Sequence, residues 1–297
     1  MPAIIERPEV RLLVTDLDNT LWDWFQAWHA SFSAMLAKLV ELSGVPQDRL
    51  ESEIRVVHQA RATSEYSFLL NELPSLQGGG GGPDALTKYD EAIHVLNVER
   101  KRCTCLYPGV LETLTAIRAR GVHVVAYTES LAYWTEWRIK HTGLDGVIDV
   151  LYSAPDHDRP AGVDISEIRR RPPEEYGLKV TRHEQVQRGI LKPNENILRT
   201  ILKRAACDPH AAVYVGDSLM KDVAMAQAVG VHDVYAAYGV SQNRPEYELL
   251  QRVSHWPEVA VEREKALMRR PDVVPTRVLT TRFAELLDMF EFKGSAV

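Results

Sequence analysis

A chain of 297 residues, 45% hydrophobic and 26% charged, has the composition of an ordinary globular protein and is long enough for one large or two modest domains. Its net charge of −6 disfavours nucleic acid as a partner, and no apolar stretch approaches the roughly 18–20 residues that span a membrane. The amino terminus lacks a basic region followed by an apolar run, and Cys103, Cys105 and Cys207 are too few and too oddly spaced for a disulfide framework or a thiolate metal site, which points to a reducing, cytoplasmic setting.

Taken in chain order, Val10–Thr15 is an apolar run that reads as a buried strand, ending abruptly at Asp16-Leu17-Asp18-Asn19-Thr20. From Trp24 the pattern becomes helical. Phe25, Trp28, Phe32, Met35, Leu36 and Leu39 recur at spacings of three and four, and Leu50–Ala62 and Ala85–Val98 predict further helices. Between these lies Gly78–Gly82 followed by Pro83, a flexible linker. After Leu106-Tyr107-Pro108-Gly109-Val110 the pattern shifts again, to a helix at Leu111–Ala119, a strand at Val122–Tyr127, a helix at Ala132–His141 and a strand at Val147–Tyr152. Ala154–Gly189 is polar and charged, with Arg169-Arg170-Arg171 as a solvated face, and reads as an excursion from the sheet. A helix at Glu195–Arg204, a strand at Ala212–Val215, a helix at Val223–Ala228 and a strand at Val234–Ala237 follow. The last sixty residues carry Tyr247–Val253, a short apolar run at Val278-Leu279 and a helix from Phe283 to Phe290 capped by Thr280 or Thr281. Strands alternating with helices imply an α/β fold, a Rossmann-like three-layer core around a parallel sheet. The helical stretch 21–105 is then a cap domain inserted after the first strand, with 1–20 and 106–297 forming the core.

Open parallel sheets place ligands at the carboxyl ends of their strands. There the first strand delivers Asp16, Asp18 and Thr20, the second Thr128 and Glu129, and the fourth Asp217, with Asp222 five residues on; Lys192 precedes Pro193 and a helix. Two carboxylates as close as Asp16 and Asp18 repel unless a cation lies between them or one holds a proton, so the pair is a metal site, an acid/base pair, or both. Asp16, Asp18 (through its backbone carbonyl) and Asp217 are hard oxygen ligands suited to Mg²⁺, and Thr128 and Lys192 can each hold a phosphate oxygen.

The order and chemistry of these groups resemble the haloacid dehalogenase (HAD) superfamily of hydrolases. Asp16-Leu17-Asp18-Asn19-Thr20 matches its first motif, Thr128 its second, Lys192 its third and Gly216-Asp217-Ser218-Leu219-Met220-Lys221-Asp222 its fourth. Tyr107-Pro108-Gly109-Val110 is similar to the segment that re-enters the core after a helical cap in the phosphoglycolate-phosphatase-like branch. The resemblance implies a Mg²⁺-dependent phosphatase of small phosphate esters. Asp16 would be the nucleophile that becomes an aspartyl phosphate, and Asp18 the group that protonates the leaving oxygen and then activates water. Thr128 and Lys192, with backbone groups at Leu17 and Glu129, would hold the phosphoryl group; Asp16, Asp18, Asp217 and Asp222 would hold the metal. Relatives that displace halide from carbon do not carry an aspartate at the position of Asp18.

Lys192 is preferred over Lys179 and Lys203 for its Lys-Pro context and its distance before Asp217, and Asp222 is compatible with an N-cap role. The Glu129 carboxylate is expected to point away from the phosphate pocket. Trp22, Trp24, Phe25 and Trp28 read as packing between the domains, His29 and His58 as surface or packed histidines, and Arg61 and Tyr66 as cap residues able to face the site. The competing functions are a phosphomutase of the same branch and, from another class, a receiver-like signalling or non-catalytic phosphate-binding protein. The insert carries no motif that names the leaving group.

Overall fold

Seven parallel strands form the main sheet of the computed structural model, which describes residues 7–77, 84–155, 159–160, 163–164, 166, 169, 172–257 and 273–294. A short β1 (Glu9–Val10) precedes β2 (Leu12–Thr15); then come β3 (His123–Leu131), β4 (Val150–Ala154), β5 (Arg182–Gln185), β6 (Ala212–Gly216), β7 (His232–Ala236) and β8 (Arg277–Leu279). The strand order is β5-β4-β3-β2-β6-β7-β8, so β2 is central. β1 pairs outside this sheet with β9 (Glu291–Phe292).

The apolar runs of the central strands follow from burial on both faces. Successive residues of β2 enter opposite layers, as the two-residue period of a strand requires. Leu13 packs with Val124, Val213 and Val234 beneath helix α5 (Val110–Ala119) and Phe283. Leu12 and Val14 pack with Val125, Tyr127 and Tyr214, under α7 (Glu195–Arg204) and α8 (Ala224–Val229). Helix α6 (Ala132–His141) follows β3 directly.

Between β2 and β3 the chain leaves the sheet to build α1 (Trp24–Ser43), α2 (Gln47–Arg61), α3 (Ala85–Lys88) and α4 (Asp90–Cys103). Asp23 caps α1 by accepting from the Gln26 amide at 2.9 Å, and Gly44, at φ 70°, ends it in the left-handed region. The apolar residues predicted for one face of α1 are all buried, and with Leu50, Ile54 and Leu70 they form a separate apolar cluster. That cluster is completed from far down the chain by α9 (Tyr247–Val253), through Tyr247, Leu250 and Val253.

Several expectations need correction. The stretch 154–189 is not wholly an excursion, because its end supplies the edge strand β5. The Arg-His-Glu-Gln sequence of β5 is partly exposed, so an edge position replaces the apolar alternation that marks inner strands. Arg169 stacks over Tyr133 and Tyr176 at 5.4 and 5.2 Å instead of standing in solvent; Arg170 and Arg171 lie outside the described residues, as does Gly78–Gly82. The predicted terminal helix is a 3₁₀ turn, Phe283–Glu285, continued by one α turn, Leu286–Met289. Neither Thr280 nor Thr281 caps it. Instead the Glu285 carboxylate accepts from the amides of Thr280, Thr281 and Arg282 at 2.9, 2.8 and 3.0 Å. Asp222 is not the N-cap of α8 either; it lies inside a wide π turn, Leu219–Val223, whose leading cap is Ser218. Among the described residues, no helix is long and apolar enough to cross a membrane.

Candidate active site

Strand register brings the polar residues together. Thr15 stands level with Ala126 and Val215 on the neighbouring strands, so Asp16 and Asp217 emerge just past the edge of the sheet, on the side where β3 runs on through Thr128 to Leu131. The Asp16 amide still donates to Val215 O at 2.8 Å, after which the chain turns sharply, with Leu17 O accepting from the amides of Thr20 and Leu21 at 3.1 and 2.8 Å. The turn is possible because Asn19 adopts φ 59°, a conformation asparagine tolerates better than most residues. Gly239 lies against this turn. A Cβ there would stand 1.8 Å from the Asn19 carbonyl oxygen, so only glycine lets the two backbones approach.

Asp16 is buried, with one carboxylate oxygen accepting from Lys192 Nζ at 2.6 Å and the other from Thr20 Oγ1 at 3.2 Å. The same ammonium donates to Asp222 Oδ1 at 2.9 Å, and that oxygen also accepts from the Tyr214 hydroxyl at 3.0 Å. Gly216 leaves the room for Asp222, since a Cβ there would lie 2.3 Å from its carboxyl carbon. Carboxylate oxygens of Asp16, Asp217 and Asp222 all lie within 4.8 Å of one another.

The electrostatics follow from this crowding. Burial pushes the Asp16 carboxyl up to about 7, against the pull of Lys192 and with Asp222 and Asp18 adding to the rise. Burial likewise lifts Asp217 well above the carboxylate range, helped by Asp16 and Asp222. Burial works against the charge on Lys192, yet Asp16 and Asp222 hold that ammonium well above its usual range. One ammonium serves two carboxylates while a third stands beside them, so negative charge is in excess. A hard divalent cation on Asp16, Asp217 and Asp222 fits this donor set, and its charge is what the cluster lacks.

Asp18 stands apart from the acidic cluster. Trp22 Nε1 donates to Asp18 Oδ1 at 2.6 Å and the Ser130 hydroxyl donates to Oδ2, while Arg138 Nη1 approaches Oδ1 at 3.9 Å. Thr128 is buried, and its hydroxyl oxygen accepts from the Ser130 amide at 3.1 Å. The Glu129 carboxylate does not point away from the site. It accepts from the Lys192 amide at 2.7 Å and from Lys221 Nζ at 2.6 Å, so it pins the lysine loop while Lys221 offsets its charge. Lys203 is exposed on α7, and Lys179 lies beside β5, where its amide donates to Asp145.

Sequence reasoning missed Tyr214, Ser130, Arg138 and Glu65. Glu65, in the insert, is half-buried between elements: one carboxylate oxygen accepts from Arg138 Nη2 and the other from Trp24 Nε1 at 3.2 Å. None of these four belongs to a recognisable motif; Ser130 and Tyr214 had only their nearness in sequence to Thr128 and Asp217 to mark them. Arg61 and Tyr66 do not converge on Asp16, because both bind Glu72 within the insert. His58 is a packed histidine, with Nδ1 2.6 Å from Val253 O.

A model of the haloacid dehalogenase-like hydrolase family matches residues 10–230, and a second HAD-hydrolase-like model matches residues 190–274. Among curated proteins, none matches. Similar solved structures include a 2-haloacid dehalogenase from Pseudomonas syringae pv. Tomato DC3000, with 19% identity, a TM-score of 0.51, and 94% of this chain and 97% of that one covered. A predicted phosphoglycolate phosphatase from Haemophilus somnus 129PT has 15% identity and a TM-score of 0.48 over 94% and 97% of the two chains. A protein assigned as a β-phosphoglucomutase from Thermotoga maritima has the same identity, TM-score and coverage. At these identities the likeness to the dehalogenase concerns the fold.

Proposed function

Because this chain belongs to the haloacid dehalogenase-like hydrolases, we propose that it is a Mg²⁺-dependent phosphatase that cleaves a small phosphate monoester through an aspartyl phosphate on Asp16. The observation that carries this reading is the isolation of Asp18. Its carboxylate is oriented by Trp22 and Ser130 and lies outside the acidic cluster, as a proton donor to a leaving oxygen must. A halide leaving group needs no such donor.

In this reading Asp16, Asp217 and Asp222, with the backbone carbonyl of Asp18, would hold Mg²⁺, whose charge would offset that of the phosphoryl oxygens. A carboxylate oxygen of Asp16 attacks phosphorus. As the bond to the ester oxygen breaks, Asp18 passes its proton to that oxygen and the alcohol departs. The Asp18 carboxylate then takes a proton from water, whose oxygen attacks phosphorus; inorganic phosphate leaves and both aspartates return to their starting states. Lys192 offsets charge on Asp16 and the phosphoryl group, while the Thr128 hydroxyl and the Leu17 and Glu129 backbone complete the oxygen cradle. Glu129, tied to Lys221, keeps the Lys192 backbone in place.

Turnover of an aryl phosphate that requires Mg²⁺ and falls at least ~10³-fold in Asp16→Asn is the expected result. Turnover that survives Asp16→Asn, or the absence of Mg²⁺-dependent turnover across a broad panel of phosphate esters, would remove this reading.

A further inference from the structure

A cavity of about 430 Å³, within the range that holds small molecules, lies between α1, α4 and the first turn of α6. Trp28, Phe32 and Leu69 give it apolar walls, and Arg100, Glu65 and Trp134 line its polar side. Arg100 is only 8% exposed, and its guanidinium lies on the Trp134 ring at 3.9 Å. That guanidinium donates no hydrogen bond among the described residues. The nearest carboxylate oxygen, Glu65 Oε1, is 4.0 Å away and is already taken by Arg138 Nη2. No Arg100 nitrogen is sealed off without a partner, so the guanidinium reaches the cavity, where an anionic oxygen group would give it a charged acceptor.

The cavity is also one layer of side chains from the reaction centre. Glu65 lines it and binds Arg138, whose other terminal nitrogen approaches Asp18 at 3.9 Å. A leaving group reaching from Asp18 into this space would have to pass or displace the Glu65–Arg138 pair. Glu65 and Asp90 both line the cavity, so a single negative charge suits it better than the double charge of a phosphate.

We propose that this cavity is the leaving-group pocket and that the leaving group is an apolar, ring-sized molecule bearing a carboxylate that binds Arg100. The leaving-group assignment rests on the phosphatase reading; the binding site does not.

The test has a binding arm and a kinetic arm. The intact protein is titrated with phenylacetate and with its neutral isostere phenylacetamide, followed by tryptophan fluorescence, since Trp28 and Trp134 line the cavity. Phenylacetate should bind at least ~10-fold more tightly. The preference should vanish in Arg100→Gln, return in part in Arg100→Lys, and both ligands should be excluded by the cavity-filling Ile93→Trp. Equal binding of the two ligands, or a preference that survives Arg100→Gln, overturns the site. In the kinetic arm, with Mg²⁺ present, the KM for 4-(carboxymethyl)phenyl phosphate should lie at least ~10-fold below that for phenyl phosphate, and the gap should close in Arg100→Gln. Equal KM values overturn the leaving-group assignment. Arg100-dependent binding of phenylacetate without turnover of either ester supports the site and counts against the phosphatase reading.

Discussion

Asp18 shows how much a single side chain's surroundings decide. Its chemical neighbours are an indole N–H, a hydroxyl and a guanidinium, whereas Asp16, two residues earlier, meets an ammonium and two further carboxylates. Under the proposed function these surroundings suit Asp18 to the role of donor and Asp16 to that of nucleophile. Asp18→Asn should lower turnover of an alkyl phosphate by roughly 10²–10⁴-fold, because alkoxide departs poorly without a proton. With 2,4-dinitrophenyl phosphate, whose leaving group needs no proton, the same variant should still give a stoichiometric burst of dinitrophenolate before slow dephosphorylation. Stopped-flow absorbance distinguishes the outcomes, and loss of the burst would argue that Asp18 acts before proton transfer. Asp16, Thr128, Lys192 and Asp217 were readable because each is a polar residue in a fixed local pattern at a strand end or before a helix. Arg138, Glu65 and Tyr214 were not: each reaches the site from an element whose own pattern signals only a helix, a loop or a buried strand, and their roles arise from packing.

At the scale of elements, the inner strands were legible because β2, β3 and β6 are buried on both faces and carry unbroken apolar runs. β5 was hidden because its edge position asks only for backbone pairing with β4, which polar residues satisfy. The turn after β6 was read as helix one residue early, since a π turn has no distinct apolar period. Tyr247–Val253 stood out in the sequence only as a segment of unassigned type, and nothing local announced that it would form α9 and pack against the insert. Its Leu250 is 1% exposed within the cluster formed by α1 and α2. Leu250→Ala should therefore cost about 2–5 kcal/mol, read from the urea midpoint at unchanged slope. A loss below about 1 kcal/mol would show that α9 is peripheral to that core.

Across the whole molecule, a net charge of −6 coexists with a local surplus of negative charge at the centre of the sheet. The sign of the resulting pH dependence is fixed. In the metal-free protein the folded Asp16 holds its proton to about 7, while the unfolded chain releases it near 3.8. Its contribution to stability is thus full below 3.8 and is lost as the pH rises through about 7. If Asp16 ligates Mg²⁺ as proposed, the ion must displace that proton, and with Asp217 also raised its affinity should rise at least about tenfold between pH 6 and pH 8, with proton release at the lower pH. Calorimetry in buffers of different ionisation enthalpy measures both quantities. A flat affinity would mean that Asp16 does not ligate the metal.

Hydrolysis at phosphorus and hydrolysis at carbon leave different isotope patterns during turnover. The protein is incubated with Mg²⁺, a panel of phosphate esters and a 2-haloacid in H₂¹⁸O, and the products are weighed by mass spectrometry. The expected result is ¹⁸O in the released inorganic phosphate and no change in the haloacid. Label in a 2-hydroxy acid, with free halide and unlabelled phosphate esters left intact, would contradict it.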